Sequence, residues 1–240
     1  MSFKESKLPN DYEVDFLVEH FRGIRVWNTL SPFDWLLWSR KLYGKNLILI
    51  GGHKGTSLQL ILKKIPELNL IHVYEPVQEY FDQILGSLKS DKVTVFNEAV
   101  FDGTEIDMTV GGDGSLVAAT NRELPSKIRF EYAVKANSVT LATAVQRLGS
   151  KTASYSLFMN CEGSEYKILN QISALKIGPQ SIFVQNHTAT DEPFVNLFLL
   201  RAKLAEQYYP LLCTNWAWDV WLRKDLISKS TTDLEQEIVY

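Results

Sequence analysis

NLILIGGHKGTSLQL, Asn46 to Leu60, reads as a buried strand, a glycine turn and the opening of a helix. Leu47 to Ile50 form a run too apolar to face water, as central strands of a parallel sheet are. Beyond the glycines, Leu58, Ile61, Leu62 and Ile65 recur at i, i+3, i+4 and i+7, which predicts a helix with one buried face. On the C-terminal side LIHVYEP predicts a second strand, VQEYFDQILGSL a second helix and KVTVFNEAV a third strand. Such a βαβαβ run builds a doubly wound, Rossmann-like sheet.

Between Gly103 and Ala136 the pattern changes to TEIDMTV, a Gly-Gly-Asp-Gly turn and IRFEYAVKA, which predicts an antiparallel β insertion. The turn GGDGS, Gly111 to Ser115, carries one carboxylate between two strands, so it reads as a hairpin rather than a phosphate nest or calcium loop. The winding resumes with a helix around Leu141 to Leu148, the strand YSLFMN, a helix from Ser164 to Ile172 and the strand SIFVQN. A helix over Pro193 to Gln207 and a tail bearing Trp216, Trp218 and Trp221 complete the sheet. Toward the N-terminus, DYEVDFLVEHFRG and SPFDWLLWSRKLYG read as two helices, the second with Ser31 as N-cap, Pro32 at its first position and Gly44 at its end. Residues 1–44 are therefore expected to form a helical segment packed on a single α/β domain, 45–240, with Trp35 and Trp38 as packing residues.

With 240 residues, 45% of them hydrophobic and 22% charged, the chain can bury one sizeable core. A net charge of −3 argues against a nucleic-acid or anionic-membrane partner, which would need clustered Lys and Arg. No apolar run approaches the roughly 20 residues of a membrane span, and the expectation is a soluble, cytoplasmic protein. Cys161 and Cys213 match no metal spacing and read as core thiols in a reducing compartment.

The glycine loop can be tested against the groups such loops hold. A P-loop needs Gly-Lys-Ser/Thr, whereas Lys54 here precedes Gly55. The dinucleotide pattern G-x-G-x-x-G would put Ile50 at its first glycine, which leaves a nicotinamide-dependent oxidoreductase as a weaker alternative. S-adenosyl-L-methionine has no pyrophosphate and needs only a backbone slim enough to pass beside it. Gly51, Gly52 and Gly55 supply that, with His53, Thr56 and Ser57 completing the loop and helix start. Glu75 ends the second strand, where a carboxylate can accept hydrogen bonds from a ribose diol.

Taken with Glu75-Pro76 and NEAV (Asn97 to Val100), this loop makes the chain resemble the FkbM family of S-adenosylmethionine-dependent methyltransferases over about residues 45–190. FMNCEGSEYKIL (Phe158 to Leu169) resembles that family's Lys-Ile-Asp-x-Glu-Gly-x-Glu segment, and SIFVQNH resembles its later strand ending in Glu-x-His. The resemblance implies a sheet of the class I methyltransferase type, Pro76, Glu98 and Ala99 beside the cofactor, and O-methylation of a hydroxyl on a sugar, glycan or related polyol. The partner would be that acceptor.

Three acidic positions of the family pattern are neutral here: Leu49 before the glycines, Asn160 at the fourth strand end and Gln185 in the later strand. Leu49 cannot orient the loop through a carboxylate, so either cofactor affinity is lower or that contact comes from elsewhere. Asn160 can position a hydroxyl but cannot take its proton. Candidates for a base are His187, Glu162 and His53, with His187 favoured because it matches the family's His. Glu162 and Glu165 open a helix, where carboxylates are favoured without any chemistry. Asn160, Gln185 and Asn186 are neutral amides and make a poor site for magnesium, so no catalytic metal is expected. The alternative to an enzyme is a degenerate methyltransferase-like module that binds without turnover.

Overall fold

The computed structural model describes residues 45–111, 114–117, 132–186, 200–213 and 217–226. The two N-terminal helices, His187, Trp216 and residues 193–199 of the helix expected over Pro193 to Gln207 lie outside them; of the rest of that stretch, 200–204 is helical.

Strand β1 (Asn46–Ile50) is followed by α1 (Thr56–Lys64), β2 (Leu70–Tyr74), α2 (Gln78–Ser87) and β3 (Val93–Phe96). Beyond the insertion come α3 (Leu141–Gln146), β8 (Tyr155–Met159), α4 (Glu165–Leu169), β9 (Ser181–Asn186), β10 (Tyr208–Cys213) and β11 (Ala217–Arg223). The main sheet has seven strands in the order β10-β11-β9-β8-β1-β2-β3. β1 is central and pairs in parallel with both β2 and β8, which is why all five of its residues are buried. β11 runs antiparallel between β9 and β10. This is a doubly wound, Rossmann-like sheet. It departs from the all-parallel 3-2-1-4-5-6 order of dinucleotide-binding sheets at the antiparallel strand.

Alternate residues of β1 serve opposite faces. Ile48 and Ile50 pack with Tyr74, Leu141 and Leu157; Leu47 and Leu49 pack with Leu58, Ile61 and Val73. On α1 the expected stripe holds, with Leu58, Ile61 and Ile65 buried and Leu62 half-buried.

The expected antiparallel insertion forms a second sheet, β4-β7-β5-β6, from β4 (Ala99–Phe101), β5 (Glu105–Gly111), β6 (Gly114–Val117) and β7 (Tyr132–Thr140). β5 and β6 close as a hairpin with Gly111 opposite Gly114. KVTVFNEAV is not one strand, as its apolar run predicted. It breaks after Phe96, and Ala99–Phe101 leaves the main sheet to pair with β7. The break has a tertiary cause: the Asn97 side-chain amide donates to the carbonyls of Glu75 and Pro76, at 3.1 and 3.2 Å, and turns the chain there. The helix expected over Ser164 to Ile172 is also shorter, ending at Leu169 with a 3₁₀ turn at Ile172–Ala174. Among the described residues, no helix is long and apolar enough to cross a membrane.

Candidate active site

The crevice at the carboxyl ends of β1, β2 and β8 opens into a cavity lined by residues from all three strand ends. Its floor is the glycine loop. The amides of Gly51 and Gly52 both donate to the Tyr74 carbonyl, at 3.1 and 3.2 Å, which binds the loop to the end of β2. Gly51 has φ +84°, and a Cβ there would stand 1.9 Å from the Asn160 carbonyl oxygen. Gly51 thus lets the loop pass against the end of β8.

Glu75 is 2% exposed and lines this cavity. Its Oε2 accepts from the His53 amide at 2.6 Å and its Oε1 from the Val77 amide at 2.9 Å. Burial pushes its pKa up to about 7, against the pull of those two amides. The carboxylate therefore does two things. It holds the loop in place at His53, and each oxygen keeps a lone pair for a donor arriving in the cavity. Loop orientation, which Leu49 cannot provide, comes from the neighbouring strand. Leu49 itself is fully buried among apolar side chains, where an acid would have no partner.

The opposite wall is the turn after β8. Glu165 is fully buried and accepts from the amides of Cys161 (3.1 Å) and Gly163 (2.8 Å), so it serves as a local cap. Glu165→Gln would turn an amide N–H₂ on one of those donors, and we expect a loss of about 1–3 kcal/mol in stability by urea denaturation. Cys161 packs against the edge of the core, as expected. It is half-buried and lines the cavity, and burial, with Glu165 beside it, pushes its thiol well above the ordinary range. Among the described residues only His53 (φ 46°) and Glu162 (φ 50°) are non-glycine residues in the left-handed region. Both line the cavity, and such strain gathers at sites that need a fixed backbone.

Of the remaining sequence-derived candidates, Gly52, Thr56, Ser57, Pro76, Ala99 and Asn160 line the cavity. Gly55, at φ +83°, sets the N-terminus of α1 without lining it. Glu98 is turned away: its carboxylate is paired with Arg147, whose guanidinium lies over the Phe96 ring at 4.7 Å. Gln185 sits in β9 opposite Trp218 and does not line the cavity. His187 lies outside the described residues. No three His, Cys, Asp or Glu side chains are grouped as a metal site among the described residues.

The sequence reading missed four wall residues that bear on chemistry. Val100 and Met108, with Ala99, make an apolar wall on the insertion side, and Ser164 and Cys161 belong to the β8 turn. Met108 was legible in principle, since TEIDMTV alternates and its Ile106, Met108 and Val110 all face inward. On the β8 side of the wall, the buried Asn160 Oδ1 and Ser164 Oγ have no hydrogen-bond partner among the described residues. Among the described lining residues there are two carboxylates, Glu75 and Glu162, and no Lys or Arg.

No family profile and no curated protein matches this chain. Solved structures with a similar outline include a methyltransferase FkbM from Methylobacillus flagellatus KT, 14% identical, TM-score 0.49, covering 90% of this chain and 56% of that one. Cofactor-bound Rv0187 from MTB is 10% identical with TM-score 0.48, covering 91% of this chain and 93% of that one. The S-adenosylhomocysteine-bound Podospora anserina methyltransferase PaMTH1 is 15% identical with TM-score 0.45, covering 92% and 99%. The chain thus spans little more than half the length of the FkbM structure.

Proposed function

We propose that the chain binds S-adenosylmethionine in this crevice and O-methylates a hydroxyl of a sugar, glycan or related polyol. The observation that carries the cofactor is the chemistry of the cavity wall. A nucleoside is invited by a buried carboxylate at the β2 end, while a second carboxylate, Glu162, with no Lys or Arg among the described lining residues, sets the wall's charge against a pyrophosphate. A cationic nucleoside suits two carboxylates; a dinucleotide does not.

In this reading Glu75 accepts the ribose hydroxyls, Gly51 and Gly52 let the backbone approach the ligand, and Ala99, Val100 and Met108 cover the base. The bound group supplies a methyl on a sulfonium, ready for in-line displacement. What the protein adds is mainly placement, and orientation alone is worth roughly 7–11 kcal/mol. Asn160 Oδ1, buried and without a partner among the described residues, accepts from a hydroxyl beside the reacting one and so holds the polyol in place. His187, the residue after β9, takes the proton as the O–CH₃ bond forms and the S–CH₃ bond breaks. The carbohydrate class of the acceptor rests on the resemblance to the FkbM family.

The test is methyl transfer from labelled S-adenosylmethionine to a panel of sugars, nucleotide sugars and polyols. Asn160→Leu should lower kcat at least about tenfold while cofactor affinity stays within about threefold. Asn160→Asp, which restores the family's residue, should keep or raise turnover. Turnover that ignores Asn160→Leu refutes the positioning role. Tight cofactor binding with no transfer to any acceptor favours the binding-module reading that Asn160 and Gln185 also fit.

A further inference from the structure

We propose that Ser164 is a donor-positioning residue, its hydroxyl hydrogen-bonding the amino-acid end of the bound methyl donor. The proposal deepens the reading above and rests on it.

Ser164 Oγ is an anomaly in its own surroundings. Ser164 is 4% exposed, lines the cavity and has no hydrogen-bond partner for its hydroxyl among the described residues. Serine immediately before a helix usually caps it, yet this hydroxyl makes no capping bond. The Ser164 backbone is helical (φ −82°, ψ −9°) rather than extended, which keeps the hydroxyl from the first-turn amides that a cap would serve. A buried hydroxyl without a partner costs stability, so the local fold does not explain it. The motif does not explain it either, since the family's Glu-Gly-x-Glu leaves this position open.

The sheet order says which part of a ligand reaches Ser164. Glu75 fixes a ribose diol at the end of β2, and the apolar wall of Ala99, Val100 and Met108 lies on the side of the insertion sheet. A base covered there leaves the other end of the nucleoside to run across β1 toward β8. Strands are about 4.8 Å apart, so the β8 turn lies roughly 10 Å from β2 along that path. There the donor's sulfonium and α-amino acid would meet the wall of the Asn160–Ser164 turn, with the Glu162 carboxylate in it and no basic side chain among the described lining residues. This is a setting for an ammonium, which Ser164 Oγ can accept from while its O–H donates to the adjoining carboxylate.

The experiment compares two ligands differing in that end alone. S-adenosylhomocysteine carries the α-amino acid, and 5′-methylthioadenosine keeps the base, ribose and sulfur without it. Calorimetric titration of wild type and Ser164→Ala with both should show S-adenosylhomocysteine weakened about tenfold or more by the substitution, with methylthioadenosine unchanged within about twofold. The ligand-free melting temperature of Ser164→Ala should stay level or rise, because the change removes an unpaired buried hydroxyl; a purely structural role would lower it. Ser164→Thr, which keeps the hydroxyl, should retain the wild-type preference between the ligands and guards against a folding defect in the alanine variant. Equal losses for both ligands, or no loss for either, overturn the assignment of Ser164 while leaving the cofactor reading intact. Failure of wild type to bind either ligand removes that reading, and this proposal with it.

Discussion

Gly51→Ala should cost about 2–6 kcal/mol of folding free energy, summing left-handed strain and overpacking, which for a domain of ordinary stability leaves little margin. The reason is double. The backbone at Gly51 has φ +84°, which an L side chain rarely adopts, and its Cβ would lie 1.9 Å from the Asn160 carbonyl oxygen. That oxygen belongs to the main chain at the end of β8 and cannot rotate aside. Gly86→Ala provides the control, because Gly86 lies in exposed α2 with nothing within 4 Å of its built Cβ. There the same change should stabilise by about 0.4–1 kcal/mol. Urea denaturation of the two variants should therefore move the midpoint in opposite directions. A Gly51→Ala midpoint equal to wild type would mean that the loop does not pass against β8 as described.

Glu75→Ala should weaken S-adenosylhomocysteine by about 1.5–3 kcal/mol, or roughly 10–150-fold, the scale of hydrogen bonds to a charged group. The loop also loses its anchor at the His53 amide, so the lower bound is the conservative one. Glu75 further predicts how affinity varies with pH. Its folded pKa is raised, so the empty protein holds this proton up to about pH 7, whereas an unfolded chain would release it near 4.5. The stability that this proton contributes is fully present below about pH 4.5 and is lost as pH rises through 7. Ligand hydroxyls bind the ionised form, so apparent affinity should rise with pH up to about 7 and level off above it. One unit below that value the ionised fraction is about a tenth, and affinity should drop about tenfold. Calorimetry at pH 6 and pH 8 in buffers of different ionisation enthalpy would register proton release on binding at the lower pH. A flat profile in wild type would remove Glu75 from the ligand.

How far the sequence carries follows from which forces were local. The strand–turn–helix of Asn46 to Leu60 was legible because apolar runs and 3.6-residue spacing report burial directly, and β1 and α1 follow them. The β5–β6 hairpin was legible through its glycines. The third strand was not, because the break between Phe96 and Ala99 is set by Asn97 reaching back to Glu75 and Pro76, a contact over more than 20 residues that periodicity does not carry. Glu98 was assigned to the cofactor from the resemblance, but its pairing with Arg147, 49 residues on, draws it away. The neutral Leu49 suggested a weakened loop; the compensating anchor at Glu75 was in view, but its second role depended on the His53 backbone turning toward it. Ser164 carried no signal at all, since a serine before a helix reads as a cap and only the structure shows its hydroxyl making no capping bond.

The central claim is that the crevice takes a cationic nucleoside rather than a dinucleotide. Side-by-side calorimetric titration of the full chain with S-adenosylmethionine, S-adenosylhomocysteine and NAD at pH 8 tests it most directly. The account predicts saturable one-to-one binding of the first two, lost or sharply weakened in Glu75→Ala, and no measurable heat with NAD. Binding of NAD at equal or greater affinity, or silence with both sulfur nucleosides, would contradict it.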